Sequence, residues 1–271
     1  MNPKVDMGAV GRLIREVAAK EILPRYDRLA AGEVREKGPG DLVTIADEAA
    51  ERRLAPALSQ LLPGSIVVGE EAVAADPTVM GRLDSKEPIW IIDPIDGTAN
   101  FAEAKGDFGV MVSLVQESEI LAAWIHNPRQ ARTATAERGS GAWLEGRRLK
   151  VAAPPDDPAA LSGTLLVGFF GDPELGRRVH QRRDRIRPLK SLRCAAAEYV
   201  RLASGDAHFA LFSKLMPWDH AAGVLLHREA GGYEAYLDGG SYVPARLAAP
   251  GLMLAPDEES WHRLYERLVK P

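Results

Sequence analysis

A single cysteine, Cys194, stands in 271 residues, so no intrachain disulfide can form and the fold must be held by packing, in a chain suited to a reducing compartment. Long apolar runs are missing as well. No uncharged stretch approaches the roughly 20 residues that a membrane-spanning helix needs, and Met1-Asn2-Pro3-Lys4-Val5-Asp6 lacks the apolar segment of a secretory signal. The expected location is cytoplasmic, with no membrane partner. Charge of one sign is not in excess either. The 34 Lys and Arg against 38 Asp and Glu leave a formal charge of -4, which offers no global attraction to nucleic acid or an anionic membrane. No internal repeat is evident. What the chain does have is hydrophobic content, 46%, enough for a large core in one sizeable domain or two packed halves.

The stretch Trp90-Ile91-Ile92-Asp93-Pro94-Ile95-Asp96-Gly97-Thr98-Ala99-Asn100-Phe101 organises the rest. Its apolar start reads as a buried strand, and Asp-Pro followed by Asp-Gly reads as the turn that ends it, because Pro94 cannot donate to a ladder and Gly97 frees the backbone. Asp93 and Asp96 at such a strand end are either turn formers or ligands. Two carboxylates so close to an apolar strand repel and are costly to desolvate unless a cation lies between them.

From residue 7 to residue 23, Val10, Leu13, Ile14, Val17 and Ala18 recur at three- and four-residue steps, which predicts an amphipathic helix ended by Pro24. A loop with Gly32, Gly38, Pro39 and Gly40 is expected next. Asp41-Leu42-Val43-Thr44-Ile45-Ala46-Asp47 then leads into a second helix, with Leu54, Leu58, Leu61 and Leu62 on one face and Pro56 expected to kink or split it. Thr44 and Asp47 have capping-box spacing. Ile66-Val67-Val68 reads as a short strand ending in Gly69-Glu70-Glu71. If it neighbours the strand that ends at Asp93, Glu70 converges on Asp93 and Asp96. Residues 72 to 87 read as an irregular excursion over the surface. Strands are then expected over 109–115, 120–125, 132–137 and 142–144, with a hairpin at Glu145-Gly146 before Leu149-Lys150-Val151, an antiparallel series. His126 beside Asn127-Pro128 reads as an ordinary loop histidine.

Residues 152 to 158, Ala-Ala-Pro-Pro-Asp-Asp-Pro, are the linker candidate, dividing one compact unit into halves 1–151 and 152–271. The second half is expected to open with a strand over 164–168 and a helix from about Pro173. Arg177, Arg178, Arg182, Arg183, Arg185, Arg187, Lys190 and Arg193 then crowd one segment with no aromatics interleaved, the composition of a solvated helix face more than of a nucleic-acid patch. Cys194-Ala195-Ala196-Ala197 starts a helix, residues 208–212 a strand, and Met216-Pro217-Trp218-Asp219-His220 a further helix that Gly231-Gly232 stops. Asp219 in that first turn complements the helix dipole. A strand over 252–254 and a helix over 257–269 complete the chain.

Glu70, Asp93, Asp96 and Asp219 are thus four acids at strand or helix ends. Ligation by oxygen alone, with no histidine or cysteine set, favours Mg²⁺ over zinc, and carboxylate-held cations beside a Gly-Thr corner suit a phosphate ester. Here the chain resembles the inositol monophosphatase family of Mg²⁺-dependent, lithium-sensitive phosphatases. The resemblance is carried by Asp41-Leu42-Val43-Thr44 with Asp47, Gly69-Glu70-Glu71, the stretch from Trp90 to Phe101, Ala136-Glu137-Arg138-Gly139-Ser140-Gly141-Ala142, and Trp218-Asp219-His220-Ala221-Ala222-Gly223. It implies an α-β-α-β-α sandwich, commonly in a homodimer, acting on a small phosphorylated metabolite with two or three Mg²⁺. One ion would be bound by Glu70, Asp93 and the carbonyl of Ile95, a second by Asp93, Asp96 and Asp219, and a third near Glu70. The family mechanism would hold a metal-bound water against Glu70 and Thr98, with Asp47 hydrogen-bonded to the threonine hydroxyl. Backbone N–H groups of Gly97 and Thr98 would take phosphate oxygens, and Ala195 would line the substrate.

This chain departs from the family where inositol would bind. Phe212 stands where relatives carry a glutamate for inositol hydroxyls, His208 where they carry an aspartate, and Arg193-Cys194 where they carry Gly-Ser/Thr. Phe212 cannot accept a hydrogen bond from a polyol. Lys214 or Arg193 are either contacts for a second anionic group or surface residues. A sugar bisphosphatase, a 3′-phosphoadenosine 5′-phosphate nucleotidase and a histidinol-phosphate phosphatase remain alternatives. A binding role at the transcription machinery, which some relatives have, is the non-enzyme alternative.

Overall fold

The computed structural model describes residues 3–30, 32–38, 40–167 and 172–271. Pro39 of the expected loop and Gly168 of the expected strand lie outside the described residues. The first helix, α1 (Met7–Val17), buries Val10, Ile14 and Val17 and runs on through a π turn and a 3₁₀ turn that contains Pro24. Between it and the second helix the expected loop is instead a hairpin, β1 (Val34–Gly38) paired antiparallel with β2 (Asp41–Thr44). Thr44 then caps α2 (Ile45–Leu61), which Pro56 does not split. That proline is on the exposed side of the helix, where the carbonyl deprived of a donor faces water.

β3 (Ile66–Gly69) follows, and residues 70–84 form a helix α3 (Glu70–Ala75) and a 3₁₀ segment (Pro77–Asp84), not the expected irregular excursion. Val79 and Leu83 are buried beneath it, which gives the segment its order. β4 (Ile89–Asp96) pairs parallel with β3, as the convergence of their acidic ends requires. α4 (Thr98–Ala102), β5 (Gly109–Gln116), β6 (Glu119–Asn127), β7 (Arg132–Glu137), β8 (Gly141–Leu144) and β9 (Arg147–Arg148) complete a seven-stranded sheet, ordered β3-β4-β5-β6-β7-β8-β9 and antiparallel from β4 onward. The last hairpin closes at Arg147–Arg148, two residues earlier than the sequence suggests.

Past residue 152 come β10 (Ser162–Leu166), α5 (Pro173–Gln181), β11 (Arg187–Pro188), α6 (Ala195–Ala203), β12 (Phe209–Phe212), α7 (Pro217–Glu229), β13 (Tyr233–Tyr236), β14 (Leu252–Ala255) and α8 (Glu258–Leu264), which continues as a π turn to Val269. Their five strands lie in the order β11-β10-β12-β14-β13. β11 and β13 have no counterpart in the sequence reading, the first being two residues long.

Alternation along the buried strands builds the layers. Trp90 and Ile92 of β4, with Val112 and Trp124, face α1 and α2, whereas Ile89 and Ile91 face α6 and α7 on the other side. In the second sheet Ala210, Phe212, Leu252 and Leu254 face the same two helices, while Phe209, Leu211, Met253 and Ala255 pack on α5 and α8. Strands covered on both faces need continuous apolar sequence. The result is the expected layered α-β-α-β-α arrangement.

Candidate active site

Three element ends meet at one cavity. β4 ends in Asp93 and Asp96, the register of its pairing with β5 shifts between those two residues, and Pro94, which has no N–H to donate, lies within the shift. Glu70 begins α3 directly after β3, and Asp219 lies in the first turn of α7. Asp93, Asp96 and Asp219 each offer a carboxylate oxygen within 4.8 Å of the others. Glu70 lies outside that tight triad but lines the same cavity of about 200 Å³, together with Ile95, Gly97 and Thr98.

Backbone groups hold two of these acids in place. Asp93 Oδ1 accepts the N–H of Ile95 at 3.0 Å. Asp96 Oδ2 accepts the N–H of Ala196 at 2.7 Å and the thiol of Cys194 at 2.9 Å, so the start of α6 grips a carboxylate 100 residues earlier in the chain. Glu51, buried on α2, accepts the N–H groups of Glu71 at 2.9 Å and Ala72 at 2.8 Å and thereby fixes the start of α3. Gly69 makes room for that carboxylate, since a Cβ there would lie 2.3 Å from it.

Burial pushes Asp93 well above the usual carboxylate range, and the negative charges of Glu70, Asp96 and Asp219 push it further. Asp219 is raised by burial against the pull of Lys214, and Asp96 by burial against its hydrogen bond from Cys194. Such crowding is unfavourable for the anions alone. The donor set of carboxylates and the Ile95 carbonyl suits a hard divalent cation such as Mg²⁺. Burial and the neighbouring Asp96 charge raise the pKa of the Cys194 thiol.

Asp47 serves two structures at once. Its Oδ2 accepts the backbone N–H of Thr44 at 2.9 Å and the Thr44 hydroxyl at 2.5 Å, closing the capping box. Its Oδ1 lies 3.3 Å from the hydroxyl of Thr98, which is also 2.9 Å from the Ile95 carbonyl. The capping and site readings of Asp47 therefore coexist. Gly97 connects Asp96 to Thr98 with φ of 83°, and a Cβ there would lie 3.1 Å from both the Asp107 carbonyl and Cys194 Cβ.

The sequence reading missed one residue of the site, Lys37. β1 brings its ammonium to 2.7 Å from Glu70 Oε1 and 2.9 Å from Glu71 Oε1. Val34-Arg35-Glu36-Lys37-Gly38 has no apolar alternation to announce a strand, and only its turn glycines hint at a hairpin.

Of the other candidates, Arg193 and Lys214 line the cavity and the rest fall elsewhere. His126 lies inside β6, not in a loop, bonded through Nδ1 to Thr133 Oγ1 at 3.0 Å, and burial lowers its pKa to about 4. His208 is 2.9 Å from the Ser162 hydroxyl. Arg193 pairs with Glu103 at 3.2 Å, and Lys214 lies 3.9 Å from Asp41. Within the basic segment, Arg178, Arg182 and Arg185 donate to the carbonyls of Val269, Lys270 and Arg267, so part of its charge closes the C-terminal turn.

Residues 6–270 match the model of the Inositol monophosphatase family. The chain belongs to this family. It is 33% identical over 231 residues to an inositol-1-monophosphatase of Rhizobium meliloti, covering 82% of each protein. It is 34% identical over 224 residues to the Nus factor SuhB of Pseudomonas aeruginosa, covering 79% of each. Among solved structures, a Thermotoga maritima IMPase superposes with a TM-score of 0.79 at 25% identity, over 96% of both chains. As a member of the inositol monophosphatase family, the protein is a phosphoric monoester hydrolase. Among the described residues, no helix is long and apolar enough to cross a membrane.

Proposed function

We propose that the protein hydrolyses a small phosphorylated metabolite, inositol monophosphate or a similar ester, using two or three Mg²⁺ ions and with sensitivity to lithium. It works in the cytoplasm as a homodimer, halves 1–151 and 152–271 acting as one unit. The observation that carries the reading is the triad of Asp93, Asp96 and Asp219 oxygens within 4.8 Å, beside the Gly97-Thr98 corner.

Glu70, Asp93, Asp96, Asp219 and the Ile95 carbonyl hold the cations. Bound Mg²⁺ supplies charge neutralisation at the phosphate and acidifies the attacking water. Glu70 and Thr98 orient that water. The Thr98 hydroxyl, donating to Asp47, turns a lone pair toward the water's proton. The Gly97 and Thr98 N–H groups hold phosphate oxygens, with Asp96, Ala195 and Asp219 around the substrate. A water oxygen bonds to phosphorus as the bond to the ester oxygen breaks, releasing an alcohol and inorganic phosphate. A panel of phosphate monoesters assayed with Mg²⁺, with and without lithium, tests the reading. Sugar bisphosphates, 3′-phosphoadenosine 5′-phosphate and histidinol phosphate belong in that panel. Hydrolysis that Asp96→Asn abolishes is expected, and no hydrolysis of any ester overturns it.

The 34% identity to a Nus factor favours a second reading, a binding role at the transcription machinery. Association with RNA polymerase components that survives Asp96→Asn supports that role, and none in either protein removes it.

A further inference from the structure

The acidic cavity opens into a second, larger chamber of about 550 Å³, and Asp96, Asp219, Arg193 and Lys214 line both. Its position follows from the topology. β10 and β12 run parallel with Leu166 opposite Phe212, and the chamber lies at the carboxyl ends of those two strands, where open α/β sheets receive ligands. An ester whose phosphate sits on the Gly97-Thr98 corner has this space for its alcohol.

One wall of the chamber is apolar. Leu165, Leu166, Val167, Phe212, Cys194 and Ala195 line it without a carboxylate or amide side chain, next to Ser191, Arg193, Ser213 and Lys214. Phe212 is stacked on Tyr199 with ring centroids 5.4 Å apart and meets the edge of His220 at 4.9 Å, so the aromatic wall is braced from behind. His220 also lines the chamber, but both its ring nitrogens are already paired, Nδ1 with the Tyr199 hydroxyl and Nε2 with the Lys214 carbonyl, each at 2.8 Å. Among the described lining residues the only carboxylates are Asp96 and Asp219, which belong to the cation site. Against that wall a ring of hydroxyls would lose water and gain few partners, whereas an apolar ring would gain contact.

Resting on the phosphatase reading, we infer that the physiological ester is the phosphate of an alcohol bearing an aromatic or heteroaromatic ring, not of a polyol. The ring docks against Leu166 and Phe212. Phe212 is then a specificity-determining residue that favours such rings and rejects inositol.

The test compares kcat/KM for 2-phenylethyl phosphate and a nucleoside 2′-phosphate with that for inositol 1-phosphate and glycerol 2-phosphate, all as unactivated esters. The expected preference for the ring-bearing esters is at least about tenfold, carried mainly by KM. Equal or better hydrolysis of inositol 1-phosphate overturns the inference and leaves the phosphatase reading standing. Phe212→Glu is expected to reverse the order. Because Phe212 also stacks on Tyr199, Leu166→Asn, at a half-buried position, provides a second route and is expected to narrow the preference by roughly tenfold. An unchanged ratio in the folded Leu166→Asn variant overturns the inference. If no ester is hydrolysed, the phosphatase reading itself fails, and calorimetry with the Mg²⁺-loaded protein decides the chamber. Binding of 2-phenylethylphosphonate at least about tenfold tighter than 2,3-dihydroxypropylphosphonate supports the inference, and equal binding overturns it.

Discussion

The Cys194 thiol donates to Asp96 Oδ2 at 2.9 Å, and its sulfur accepts the N–H of Ala197 at 3.4 Å, so one side chain caps α6 and braces an acid of the cation site. Cys194→Ala removes both bonds. It is expected to destabilise the fold by about 1 kcal/mol in urea titrations and to weaken Mg²⁺ binding measured by calorimetry. Cys194→Ser keeps a donor and a cap and should recover most of both losses.

Lys37 places its ammonium between Glu70 and Glu71, where the divalent cation proposed near Glu70 would compete with it. Lys37→Gln removes the competitor and its repulsion. Cation binding should tighten by roughly fivefold, about 1 kcal/mol, while the cation-free protein melts at lower temperature because two carboxylates lose their partner. Weaker cation binding in this variant would show that Lys37 assists the site.

Crowding at Asp93, Asp96 and Asp219 makes the folded protein a poor host for its own charges without a cation. Saturating Mg²⁺, at about 100 times its dissociation constant, should add roughly 2.7 kcal/mol to stability, seen as a rise of several degrees in the melting temperature that chelation reverses. Asp219→Asn should raise the cation-free melting temperature and lose most of the Mg²⁺ response. A variant that responds to Mg²⁺ like the parent would exclude Asp219 from the site.

Asp47 is pushed up to about 7, chiefly by burial, against hydrogen bonds from Thr44. Its folded value lies above the unfolded one, so between pH 4 and 7 the folded state keeps a proton that the unfolded chain has released. Stability from this group is therefore full below about 4 and lost as pH rises through about 7, with a slope of at most about 1.4 kcal/mol per pH unit. Melting curves across that range should show a shallower decline for Asp47→Asn than for the parent. Equal slopes would mean that Asp47 is charged throughout.

Much of this was legible because period and punctuation agree with the final packing. The stripe of Val10, Ile14 and Val17, the apolar run into Asp93 and the turn signals from Asn127 to Gly141 are local signals that tertiary contacts reinforced. The illegible parts are short or polar. β11 is two residues long, β1 reads as charge alternating with nothing apolar, and the turns over residues 70–84 are ordered by burial of Val79 and Leu83 rather than by propensity.

By itself the sequence carried the motifs of the family, and through that resemblance the layered fold, and it set four acids at strand and helix ends. Only the tertiary structure decided that Asp93, Asp96 and Asp219 form the tight triad while Glu70 is met by Lys37, and that Asp47 acts as cap and acceptor together. It also decided that Phe212 lines a chamber at the ends of β10 and β12. The physical reason is separation along the chain. Glu70, Asp96, Cys194 and Asp219 become neighbours only when two sheets close on α6 and α7, and distances across that closure have no local signature in the sequence.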